Sequence, residues 1–346
     1  MSKQKNSEKS SKLILEDIAR DLGLSISTVS RAISGKGRIS EATRKKVLGY
    51  ISMNNLRPNV IDRAMPRSHS YNIAVVFEDD TDISEKAFFM ATYLGILEMA
   101  SIRDYNAIAV TVKNQNFSEI RKLINQGKAD GVIVTSVRTE DSIVDWLKES
   151  GAPFVVMGSP DGTSTFQVDF DHRSACRELA LYLLGREGSG IKTALMVENL
   201  EHTANRLKYE GCQSAFAEVY KSKNALAERF LLFDGVDTRI KVEKFFEESL
   251  KQGVNCFLCG DELVCSRLLS LIDQSSYTIP KDLRVASLHD SSALQFHNPP
   301  VTAIQTDDRM LGQQACKILL DLIERNTSEI TIRTILPHSL VIRQST

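Results

Sequence analysis

Three stretches of the 346-residue chain combine residue types and spacings that could do chemistry. Residues 185–193, GREGSGIKT, nearly spell a phosphate-cradling loop, in which glycine amides hold phosphate oxygens and a lysine neutralises them. Ile191 separates Gly190 from Lys192, however, and the stretch runs from a helical pattern into a strand pattern. A helix N-terminus aimed at phosphate needs the opposite order, so a plain helix-to-strand turn fits better. Cys256 and Cys259 in CFLC have the spacing of a zinc pair. In a strand, residues three apart point to opposite faces, and only the lone Cys265 follows. The histidines are scattered and no GxSxG or HExxH occurs, so the chain reads as no enzyme, with no cofactor or metal expected.

The third stretch is SISTVSRAIS, residues 25–34: four Ser, one Thr and one Ala around three aliphatics and one arginine. Ser and Thr are indifferent helix formers, so propensity does not explain them. A helix lying in the major groove needs a thin surface whose side chains reach base edges and phosphates, and Ser, Thr and Arg do both. The flanking pattern supports such a helix. Leu13, Ile14, Ile18 and Leu22 recur at helical spacing in LILEDIARDLGL, Gly23 stops that helix, and Ser25 caps the next, whose buried stripe is Val29 and Ile33. Small Ala19 permits close approach, and the pair reads as a helix-turn-helix. Ser27, Ser30 and Arg31 face away from Val29. A third helix, SEATRKKVLGYISMNN, starts at the capping Ser40 and exposes Arg44, Lys45 and Lys46.

Charge points the same way. Residues 1–70 hold 14 Lys and Arg against 6 Asp and Glu, while the rest holds 29 against 38, an asymmetry that the net charge of −1 conceals. A basic head on an acidic body implies a polyanionic partner for the head. No apolar run approaches the roughly 18 residues of a membrane span, and six cysteines in a chain this long form no disulfide framework. A cytoplasmic protein without membrane contact is expected.

The run ILEDIARDLGLSISTVSRAISGKGRISEATRKKVLGYI, followed by LRPNVIDRAM, resembles the DNA-binding headpiece and hinge helix of the lactose-repressor (LacI/GalR) family. The resemblance implies a flexible basic tail over 1–11, a helix-turn-helix domain over 12–57, a hinge helix over 58–67 and a core over 68–346. It implies DNA contacts from Leu15, Ser25, Ile26, Ser27, Thr28, Ser30, Arg31, Arg38, Thr43, Asn59 and Met65. Ile26 and Ser27 would open the recognition helix at base-reading positions, and Arg31 would read a base or adjacent phosphate. Ser25, Thr28, Thr43 and Asn59 would hold the backbone, and Met65 would wedge into the minor groove. Pro66 directly behind it departs from the family pattern. The hinge segment is too short to be a stable helix alone in water.

From Tyr71 onward, strand-like runs (YNIAVVF, AIAVTV, DGVIVTS, PFVVMG, then IKTALMV, FLLF, NCFLCG, RVASLHD, VTAIQTD) alternate with helical patterns such as MATYLGILEMASIRD and ANRLKYEGCQSAFAEVYK. The alternation predicts parallel sheets wound by helices, and equivalent starts at Tyr71 and Ile191 predict two α/β lobes with a cleft between them. The expected fold class is α/β: a small all-α helix-turn-helix headpiece and a two-lobed core like a periplasmic binding protein. The first lobe is expected over about 70–163 and 307–326, the second over about 164–306 and 327–346. By resemblance, VTAIQTDDRMLGQQA is a crossover and LPHSLVIR the last strand.

Open α/β sheets bind ligands at the carboxyl ends of strands. Asp290 ends a strand in VASLHD and Asp261 follows FLCG, so both are candidate ligand contacts. The resemblance makes Asp290 the family's ligand-binding aspartate, with LHD where GYD is usual. It puts Lys208, with Arg206 close by, at the effector-binding arginine and places Phe88 and Phe89 of KAFFMATY at the pocket rim. Gly158 stands where aspartate is frequent. The implied function is a DNA-binding transcription regulator, a repressor, acting as a homodimer on a near-palindromic double-stranded operator. A small polar effector, a sugar or sugar derivative, would modulate it. The alternatives are an architectural DNA-binding protein without effector and a purine- or nucleoside-responsive regulator.

Overall fold

A computed structural model describes residues 17–34, 39–53, 69–78, 87–113, 115–138, 142–159, 165–187, 190–325 and 330–346. The chain divides into two units, Met1–His69 and Ser70–Thr346. In the first, helix α1 (over 17–22) ends where Gly23 adopts φ +65°, and Leu24 N–H closes back on the Ala19 carbonyl at 2.8 Å. Only glycine takes that left-handed conformation without strain, which is why the chain turns here. Ser25 Oγ caps α2 (Ile26–Ser34) by accepting from Thr28 N–H at 3.1 Å. Ser40 Oγ caps α3 (Glu41–Met53) by accepting from Thr43 N–H at 3.2 Å. Ile18, Ala19, Val29, Ala32 and Val47 form the small core, and Ile33 packs half-buried against it. The tail over 1–11 and the hinge over 58–67 lie outside the described residues.

The second unit holds two six-stranded sheets. The first contains β1 (Asn72–Glu78), β2 (Asn106–Val112), β3 (Gly131–Val134), β4 (Phe154–Met157), β5 (Gln167–Phe170) and β11 (Arg333–Leu336), in the order β2-β1-β3-β4-β5-β11. The second contains β6 (Thr193–Val197), β7 (Phe230–Asp234), β8 (Cys256–Cys259), β9 (Arg284–Ser287), β10 (Thr302–Thr306) and β12 (His338–Val341). Its order, β7-β6-β8-β9-β10-β12, repeats that of the first. Among the described residues every pairing of these strands is parallel except β10 with β12. Each sheet is apolar on both faces, as helices on both sides require. Ile73, Val75 and Phe77 enter one core and Ala74 and Val76 the other. Cys256 and Cys259 likewise fall in cores on opposite faces of the second sheet, so they cannot share a metal ion.

The lobe boundaries differ from those expected. Residues 167–170 and 333–336, assigned by sequence to the second lobe, are strands of the first sheet. QVDF carries two polar residues and gives no apolar run, yet all four of its residues are buried. RTIL is an edge strand, half exposed. The chain therefore crosses between lobes after Phe170, after Thr306 and at Pro337. At the second crossing, helix α13 (Asp308–Ile323) returns to the first lobe and packs on α4 (Ala87–Ile102). A Cβ on Gly95 would collide with the Arg309 carbonyl, and one on Gly312 with that of Thr92, so the two backbones touch. Among the described residues no helix is long and apolar enough to cross a membrane.

Candidate functional site

In the helix-turn-helix unit, α2 turns Val29 and Ala32 inward and leaves Ser25, Ile26, Ser27 and Arg31 exposed, with Thr28 and Ser30 half-buried. Ile26 is 45% exposed, an apolar side chain with no core to fill. Ser25 Oγ lies 2.9 Å from Ser27 Oγ and 2.8 Å from Thr28 Oγ1, so three hydroxyls cluster at the start of α2. A matching pair, Ser40 Oγ and Thr43 Oγ1, lies 2.7 Å apart at the start of α3. Helix N-termini favour anions, and hydroxyls add adaptable donors, so both ends suit phosphate oxygens. Arg44, Lys45 and Lys46 are exposed on α3, and Lys46 Nζ also reaches the Leu22 carbonyl at 3.3 Å. Tyr50 ties α3 to α1 by donating to Asp21 Oδ2 at 2.5 Å. Leu15, Arg38, Asn59 and Met65 lie outside the described residues.

In the core unit, a cleft of about 1030 Å³, open solvent included, lies between the lobes. Its walls are built where strands end. Glu78 closes β1, Thr135 to Val137 follow β3, Gly158 follows β4, and Asp169 lies in β5. From the second lobe come Glu198 after β6, Asp261 and Glu262 after β8, and His289 after β9. Phe88 and Phe89 enter from the start of α4, and His202 to Asn205 with Lys208 from the first turns of α8 (Thr203–Val219).

Polar contacts cross the cleft on one side. Thr203 donates its N–H and its hydroxyl to the Val137 carbonyl at 3.0 and 2.9 Å. Arg138 donates to Glu78 at 2.7 Å within its own lobe and to Glu201 of the other at 2.8 Å. Elsewhere in the cleft His289 lies between Glu262 Oε2, 3.1 Å from Nδ1, and the Asp308 carboxylate, 3.1 Å from Nε2. Burial opposes protonation of this imidazole, but its hydrogen bonds to Asp308 and Glu262 raise its pKa to about 10. Burial likewise pushes the Glu262 carboxyl up, yet the His289 bond overrides it and holds the group low. The Phe88 ring packs on His289 edge to face, centroids 5.6 Å apart. Lys208 is buried and donates from Nζ to the Gly260 carbonyl at 2.6 Å. Asp261 caps α11 (Glu262–Ile272) by accepting from Val264 N–H at 2.9 Å.

Of the six residues expected to hold an effector, the structure brings Phe88, Phe89, Lys208 and Asp261 to the cleft. Asp290 is a correction. It is buried away from the cleft, its two oxygens taken by Arg343 at 2.9 and 2.6 Å and by Ser291 N–H and Gln295 Nε2. Successive residues leaving a strand point to opposite sides, so His289 takes the cleft position and Asp290 turns to the C-terminal segment. Arg206 also lies off the cleft wall, its Nη1 4.0 Å from Glu210 Oε1 one turn along α8. Sequence reasoning missed Glu78 and Glu198, which follow recognised apolar runs, and His289, which lies inside one just before Asp290; the strand-end rule could have found all three. Asp169 lay in a strand that gave no apolar signal, and Glu262 was hidden behind Asp261.

Residues 14–59 match the family described as bacterial regulatory proteins, lacI family. Residues 172–346, just over half of the chain, match the periplasmic binding protein-like domain. The HTH-type transcriptional regulator MalR of Staphylococcus xylosus is 26% identical over 344 residues, covering 96% of this chain and 97% of MalR. Among solved structures, a transcriptional regulator CelR–cellobiose complex superposes with a TM-score of 0.71 at 22% identity, covering 96% of this chain and 99% of that one. The lac repressor dimer bound to operator and an anti-inducer superposes at 0.67 and 20% identity, covering 95% and 97%. At these identities the structural likeness is one of fold. With a lacI-type helix-turn-helix unit ahead of a periplasmic-binding-protein-like core, the chain belongs to the LacI family of bacterial regulatory proteins.

Proposed function

We propose that the protein is a cytoplasmic transcription repressor that binds a near-palindromic operator as a homodimer and releases or grips it according to a polyhydroxyl effector in the cleft. One observation carries this reading: the cleft is walled by strand ends of two lobes that polar contacts join across it. A ligand alters DNA affinity only through unequal affinity for two lobe arrangements, and groups donated by both lobes make that inequality available. Phe88 and Phe89 would cover an apolar sugar face, while Asp261, Glu262 and Lys208 would engage hydroxyls. The sugar complex of CelR and the operator complex of the lac repressor support the same assignment.

On DNA, Ile26, Ser27, Ser30 and Arg31 would meet base edges, and Ser25, Thr28 and Thr43 phosphates. A dimer matches half-sites about one helical turn apart. The test is an operator titration at fixed salt, with and without a panel of neutral mono- and disaccharides including cellobiose. Arg31→Ala costs about 1–3 kcal/mol at one base pair, whereas Thr43→Val weakens all sequences about equally. A panel member changes wild-type operator affinity, and Phe88→Ala reduces that change. Undiminished operator affinity in Arg31→Ala refutes the groove assignment. A sugar response that survives Phe88→Ala intact moves the effector out of the cleft.

A further inference from the structure

Among the described residues five carboxylates line the cleft: Glu78 and Asp169 from the first lobe, and Glu198, Asp261 and Glu262 from the second. Lys208 and three histidines stand against them, so the described lining stays net negative even with every imidazole protonated. Carboxylates serve neutral hydroxyls well when a guanidinium balances them; Arg138 pairs with Glu78 from beside the wall but carries Glu201 as well, and no arginine is among the described lining residues. The cations present are already engaged. Lys208 holds the Gly260 carbonyl, and His289 is shared between Glu262 and Asp308.

Glu262 adds an independent observation. Only 6% of the residue is exposed, and Oε2 faces His289, while Oε1 is buried and accepts a hydrogen bond from no other residue among those described. A buried ionised oxygen without a donor from another residue is costly, and a charged donor relieves it more fully than a hydroxyl. We propose that the cleft selects an amine-bearing sugar over its neutral and phosphorylated counterparts, the ammonium donating to Glu262 Oε1 and the hydroxyls to the neighbouring carboxylates. Phe88, already edge-on to His289, covers the apolar face. A phosphate would meet a net negative lining whose one lysine among the described residues, Lys208, is bound to backbone, and N-acetylation would remove the charge that the wall selects. The inference rests on the reading of the cleft as the effector site.

The experiment is calorimetric titration of the full-length protein with D-glucosamine, D-glucose, N-acetyl-D-glucosamine and D-glucose 6-phosphate. Glucosamine binds at least about tenfold more tightly than glucose or the N-acetyl sugar, and the phosphate gives no measurable heat. The preference weakens with salt and disappears above the pH at which the amine loses its proton, a readout that needs no variant. Glu262→Gln brings the glucosamine-to-glucose affinity ratio towards one. Equal or tighter binding of glucose or glucose 6-phosphate by the wild-type protein overturns the amine preference; if that sugar also shifts operator affinity, the effector reading survives alone. Silence from all four overturns the amine proposal, and the effector reading is then decided by the operator titration with the disaccharide panel.

Discussion

Replacing Asp290 by alanine separates a structural aspartate from a ligand-binding one. The carboxylate is one half of a bidentate pair with Arg343, whose Nη1 and Nη2 lie 2.9 and 2.6 Å from its oxygens. The two side chains are 4% and 14% exposed, so water would compensate little for the loss. Removing one partner of a buried pair strands the other charge and costs about 3–5 kcal/mol. The lost bonds to Ser291 N–H and Gln295 belong to the same deletion. For a unit this large, each kcal/mol shifts the melting temperature by about 2–4 °C, so Asp290→Ala lowers Tm by roughly 6–20 °C. Arg343 anchors the segment after β12, where Ser345 and Thr346 are buried against β9 and β10 through Val285 and Thr302. The loss is therefore felt in the second lobe. Thermal and urea unfolding of wild type, Asp290→Ala, Arg343→Met and the double variant measure it as a cycle. The double variant is less destabilised than the sum of the single ones, because it leaves no charge unpartnered. Effector binding, measured well below the lowered Tm, persists in Asp290→Ala. Wild-type stability combined with abolished effector binding would refute the argument and return Asp290 to the cleft.

Two further outcomes follow, one from the lobe junction and one from the helix contact within the first lobe. Because the folded pKa of His289 is raised to about 10 from 6.5, its imidazolium stabilises fully below pH 6.5 and loses that contribution as pH rises towards 10. His289→Gln therefore destabilises the protein strongly at pH 6 and progressively less towards pH 10; equal destabilisation across that range in urea titrations contradicts the ion triad. At the contact of α4 with α13, Gly312→Ala drives a methyl group into the Thr92 carbonyl and costs about 1–3 kcal/mol or more by overpacking, whereas the same change at the exposed helical Gly185, whose added Cβ meets nothing within 4 Å, is neutral or slightly stabilising. Equal Tm values for the two variants would rule out the close backbone approach.

The helix-turn-helix was legible because its determinants are local. Caps lie three residues from their amides, Val29 and Ile33 share a face by helical spacing, and Gly23 marks the turn by its own conformational freedom. The alternation of α and β was legible for the same reason, since strands buried on both faces read as apolar runs whatever their neighbours. The lobe boundaries were not. Gln167 and Asp169 are buried in β5, and whether a polar residue can be buried depends on partners outside the strand: Ser159 and His172 for Asp169. The cleft was legible only as a place. Strand ends were the right neighbourhood, but the chain could not say whether His289 or Asp290 turns inward, because that choice is made by Arg343, 53 residues from Asp290. Nor could it show that Glu262 and Asp308, far apart in sequence, converge on one imidazole. Local propensity and periodicity act over a few residues and leave their trace in the sequence; charge partners across two lobes exist only once both sheets have closed and the chain has crossed between them.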